Sequence, residues 1–99
     1  MNKVKTRPWD SAEHLKTKDD IAEYFEACLQ EGGDDPAFIA HALGVIARAR
    51  GMSEVARDAG VSREGLYKAL SGEGNPSFDT ILRVITALGL QLHATKAYA

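Results

Sequence analysis

Arg63, Glu64, Tyr67 and Lys68 crowd into one short stretch, VSREGLYKAL, and all four are built to form hydrogen bonds at a distance from the backbone. An arginine fork can bind guanine O6 and N7 together, a glutamate can accept from cytosine N4, and tyrosine or lysine can reach a phosphate. Catalytic chemistry has much weaker support. His14, His41 and His93 are widely separated and share no metal-ligand spacing with a cysteine or carboxylate pair. The GEG at 72–74 follows no strand and is not followed by a lysine in the required place, so it reads as a turn rather than a phosphate loop. There is no nucleophile elbow or triad. The expectation is a non-enzyme with no cofactor, metal or small-molecule substrate, whose work is recognition.

What would position these side chains is an elbow at Gly60. Ala56 stands four residues before it, where two helices can cross closely, while Val55, Val61 and Leu66 can fill the wedge between them. Gly60 itself can take the backbone conformation that a sharp turn demands. Such fixed offsets predict a helix-turn-helix, with a short helix over SEVARDA (53–59) and a second one capped by Ser62 and running to about Leu70. If Leu66 and Leu70 point inward, Arg63, Glu64, Tyr67 and Lys68 point largely outward on the N-terminal half of the second helix, the part that enters the major groove. These four are the candidate base readers. Arg50, Ser62, Ser71 and Asn75 are candidate phosphate contacts, which would set register without reading sequence. Gly65, inside the second helix, costs about 1 kcal/mol relative to alanine and implies a close approach, either to the preceding helix or to a DNA backbone. The competing reading of the four polar residues is an ordinary solvated face.

The remaining chain reads as helices. Thr17 followed by Asp20 is a capping-box start, after which Ile21, Tyr24, Phe25, Cys28 and Leu29 make an apolar stripe ending at Gly32 and Gly33. Cys28 has no disulfide partner within the chain and is placed like a small core residue. Asp35-Pro36 starts the next helix, with Phe38, Ile39, Ala42, Leu43, Val45, Ile46 and Ala49 inward and Arg48 and Arg50 at its negative end. Ser77 caps a last helix, on which Phe78, Ile81, Leu82, Ile85 and Leu88 share a face until Gly89. LQLHATKA then alternates apolar and polar, fitting either a short strand awaiting a partner or a disordered tail. The first ten or so residues read as a mobile arm unless Trp9 docks on the domain.

Ninety-nine residues with 44% apolar content make one compact domain with an appendage. No run is long and apolar enough for a membrane span, and the N-terminus lacks the apolar core of a signal peptide, so a cytoplasmic location is expected. The net charge of −2 is unusual for a nucleic-acid binder, but it is unevenly spread. Residues 1–35 carry five basic side chains against nine acidic, and residues 36–99 carry seven basic against five acidic. The division suggests two functions, with an arm and acidic amphipathic helix over 1–34 and a DNA-binding unit with its C-terminal strand or tail over 35–99.

Residues 51–90, GMSEVARDAGVSREGLYKALSGEGNPSFDTILRVITALGL, resemble the Xre/Cro-type helix-turn-helix family of phage-repressor-like regulators. Over about positions 9–96 the chain is similar to the HigA-like addiction-module antitoxins. This resemblance implies an all-α, lambda-repressor-like fold, a compact bundle of about five helices. It also implies a homodimeric repressor that binds operator DNA at its own operon and neutralises a RelE/ParE-type toxin, usually a small basic protein. By residue match Arg63, Glu64, Tyr67 and Lys68 take the base-reading places. Met52 departs from the broader pattern, standing where a phosphate-binding glutamine is common. The acidic surface of Asp19, Asp20, Glu23, Glu26 and Glu31 would suit a basic toxin, or would simply keep the protein soluble. Two alternatives retain the helix-turn-helix: a stand-alone Xre-family repressor without a toxin, and a protein-binding scaffold that no longer binds DNA.

Overall fold

The structure is a computed structural model that describes residues 15–97. The arm containing Trp9 lies outside them. Five helices follow in order: α1 (Lys18–Gly32), α2 (Pro36–Arg50), α3 (Met52–Ala59), α4 (Arg63–Ala69) and α5 (Phe78–Ala87). The fold is an all-helical bundle.

Four of the five helices begin where a side chain satisfies an orphan amide, with proline removing one more at α2. At α1 the capping box closes: Asp20 N–H donates to Thr17 Oγ1 at 3.0 Å, while the Asp20 carboxylate accepts from Thr17 N–H at 3.1 Å. Asp35 Oδ1 accepts from Ala37 N–H at 3.1 Å ahead of α2, with Pro36 in the first turn. Ser62 and Ser77 cap α4 and α5, accepting from Gly65 N–H at 2.9 Å and from Thr80 N–H at 3.1 Å. α3 has no side-chain cap; it leaves α2 directly through Gly51, whose φ is 108°.

α1 packs on α2, α2 on α3, and α3 on both α4 and α5. Leu43, Ile46, Val55, Leu66, Val84 and Leu88 are the largest fully buried side chains, so four of the five helices each send at least one residue to a common centre, while Leu88 immediately follows α5. From α1, Ile21, Tyr24, Phe25 and Cys28 join the same core. Gly44 sits within the buried side of α2, where a Cβ would lie 3.4 Å from Leu70 O, so the end of α4 comes close to α2 at this point.

One sequence expectation is corrected and one open alternative is decided. Phe78 and Leu82 are exposed at 69% and 38%, whereas α5 buries Val84 and Ile85. The helix presents only part of its apolar surface to α3, and Phe78, at its first position, is left in solvent. The C-terminal stretch is not a strand: residues 90–97 have no regular secondary structure, and the last backbone bond runs from Leu90 N–H to Ile85 O at 3.0 Å. A strand needs an adjacent strand for its amides, and the described residues provide none.

Candidate nucleic-acid interface

The elbow between α3 and α4 is a Schellman turn. Gly60 adopts φ 75°, ψ 30°, Val61 N–H donates to Ala56 O at 3.0 Å, and Gly60 N–H donates to Arg57 O at 3.2 Å. The left-handed residue redirects the chain while the carbonyls ending α3 keep their donors. Ala56 is 3% exposed and Val55 1%, and both join Leu66, at 0%, in the core. Val61 packs against that core while partly buried. Leu66, Ala69 and Leu70 thereby fix which way α4 faces.

With those residues inward, Arg63, Glu64, Tyr67 and Lys68 are all exposed. They form one polar edge that does not fold back onto the body of the protein. Arg63 and Tyr67 lie one turn apart and touch: the guanidinium carbon is 5.6 Å from the ring centroid, and Nη2 donates to Tyr67 Oη at 3.5 Å.

Beside this edge runs an open cleft of about 270 Å³ between α4 and the loop before α5, lined in part by Ser62, Gly65, Lys68, Asn75, Pro76 and Thr80. Gly65 opens onto it. A Cβ there would come within 2.9 Å of Ser62 Oγ and near no atom of the preceding helix, so the close-approach expectation is resolved locally, at the helix cap and the cleft.

The four candidate phosphate residues are not brought together. Ser62 and Asn75 line the cleft. Ser71 Oγ donates to Lys68 O at 2.9 Å and accepts from Glu73 N–H at 3.1 Å, which shapes the turn after α4. Arg50 Nη1 donates to Leu88 O at 3.3 Å, a strut from the end of α2 to the end of α5. Met52, in the place where the resemblance leads one to look for glutamine, is 7% exposed and belongs to the core.

The family model described as "Probable addiction module antidote protein" matches residues 5–96. The chain belongs to that family. A relative from Haemophilus influenzae, described as an uncharacterized protein, is 53% identical over 91 residues, covering 92% of each chain. No solved structure matches the chain.

Of the five helices of this antidote, α1 carries the largest net charge, one lysine against five acidic side chains. Asp19, Glu23, Glu26 and Glu31 are exposed, and Asp19, Glu23 and Glu26 follow one face at helical spacing. Asp20 differs, because its carboxylate accepts from the amides of Lys16 and Thr17, both at 3.1 Å, and so serves the start of the helix. No described helix of the antidote is long and apolar enough to cross a membrane.

Proposed function

We propose that this antidote protein is the antitoxin of a type II module, binding and neutralising a RelE/ParE-type toxin and repressing its own operon as a homodimer on operator DNA. The observation that carries the DNA half is the Gly60 elbow, with its inner side locked into the core and its outer side offering Arg63, Glu64, Tyr67 and Lys68 to solvent. A helix held in that manner fits the major groove, with Arg63 and Glu64 reading base edges and Tyr67 and Lys68 beside them. Ser62, Asn75 and Lys68 around the cleft suit a phosphate strand. Ser71 and Arg50 have structural partners and contribute by holding the loop and the helix ends.

The family carries the toxin half. The acidic face of α1 supplies a complementary surface for a small basic protein, which would speed encounter and exclude acidic competitors. A homodimer follows from the short reading helix, since two copies reading a two-fold operator double the contacts available to one.

Co-expression with the adjacent reading frame tests both halves. The expected product is a stable complex that holds at least two copies of this chain and one basic partner, and that retards the DNA upstream of the gene. A lone chain that retards the DNA would remove the toxin, and a complex that leaves the DNA unretarded would remove the repressor.

A further inference from the structure

We propose that Tyr67 is a specificity-setting positioning residue: it acts on DNA through Arg63, holding the guanidinium in place before any duplex arrives, rather than by reading a base itself. This rests on the proposal that α4 reads operator DNA. On a helix the side chain at i+4 leans back toward the N-terminus, over the residue one turn earlier. Tyr67 does this to Arg63, with its ring 5.6 Å from the guanidinium carbon and its hydroxyl oxygen 3.5 Å from Nη2. Among the described residues no other side chain engages that guanidinium; the neighbouring Glu64 leaves it alone.

An exposed arginine on a seven-residue helix would otherwise sample many rotamers. Each one frozen on binding would cost affinity for the right base as for the wrong one. A ring beneath the planar group removes part of that disorder in advance and also sets the plane in which its two donors point. Bidentate pairing with guanine depends on that plane, whereas a phosphate contact does not. Tyr67 should therefore affect discrimination at the base pair read by Arg63 more than affinity for duplexes in general. A cation–π contact at an exposed site corresponds to about a two- to five-fold effect.

Two measurements test this. In the free full-length chain, the Arg63 side-chain protons should show an upfield ring-current shift that Tyr67→Phe preserves and Tyr67→Ala abolishes. Binding is then measured by fluorescence anisotropy on the duplex immediately upstream of the gene and on its single-base-pair variants, using wild type, Arg63→Ala, Tyr67→Ala, Tyr67→Phe and the Arg63→Ala/Tyr67→Ala double variant. Circular dichroism melting confirms that each is folded. Tyr67→Ala is expected to lose about two- to five-fold of the preference at the base pair where Arg63→Ala loses it all. Tyr67→Phe should stay within about two-fold of wild type. Adding Tyr67→Ala to Arg63→Ala should change nothing further.

Additive losses, a Tyr67 effect at a different base pair, or an unshifted Arg63 would overturn the assignment. A loss in Tyr67→Phe equal to that in Tyr67→Ala would place the hold on Arg63 in the hydroxyl rather than the ring if it vanishes in the Arg63→Ala background, and would make the hydroxyl a DNA contact and overturn the assignment if it persists there. If wild type shows no preference among the duplexes, or Arg63→Ala matches it on all of them, the recognition-helix reading fails whatever Tyr67 does.

Discussion

At the scale of single residues, Arg63 and Lys68 stand on the same exposed edge of α4 but should act differently. Arg63 carries a fork suited to two acceptors on one base, whereas Lys68 is a point charge lining the cleft next to Asn75. Arg63→Ala should cost about 1–3 kcal/mol and relax preference at one base pair. Lys68→Ala should weaken all sequences evenly and reduce the salt dependence by about one counterion. Titrations of both variants on matched and mismatched duplexes at several salt concentrations distinguish them, and equal losses on every duplex for Arg63→Ala would remove it from the readers. The identities of these residues were legible in the chain; their engagements were not. Ser71 and Arg50 have the same donor chemistry as any phosphate ligand, and the structure adds the partners each already has within the fold, Lys68 O and Glu73 N–H for one and Leu88 O for the other.

At the scale of elements, the decisive joint is the turn between α3 and α4. Gly60 has φ 75°, and a Cβ there would meet only Arg83 Nη1 at 3.5 Å, so the obstacle to a side chain is backbone conformation rather than space. Gly60→Ala should therefore destabilise the protein by about 1–2 kcal/mol. For a domain of this size that lowers the melting temperature by roughly 4–8 °C per kcal/mol, measurable by calorimetry. An unchanged melting temperature would mean that the elbow tolerates a side chain and the turn is not held as described. The caps at Thr17, Asp35, Ser62 and Ser77 were all readable from sequence because a cap is a local matter of one side chain and the next few amides. The faces of α5 were not, since an apolar residue such as Phe78 reads as core until the reach of the neighbouring helix is known.

For the whole molecule, the separation of charge along the sequence becomes a separation between elements. The acidic side chains at Asp19, Glu23 and Glu26 project from α1, while the polar edge with Arg63 and Lys68 belongs to α4; α1 packs on α2 and α4 on α3. Reversing charge with Glu23→Lys and Glu26→Lys should abolish co-purification of a basic partner while leaving upstream-DNA binding within about two-fold. Stability should change by no more than about 0.5 kcal/mol, as for other exposed substitutions. A partner that still co-purifies would reduce the acidic face to a solubilising surface.

The chain by itself determined the number of helices, their starts, the left-handed glycine between α3 and α4, and the four residues on the outer edge, because each depends on contacts between near neighbours in sequence. Tertiary structure alone decided that Phe78 and Leu82 stay in solvent, that residues 90–97 have no strand to join, that Gly44 admits the end of α4, and that Arg50 ties α2 to α5. Those outcomes depend on which distant surface arrives at a given face, and periodicity along one helix does not contain that information.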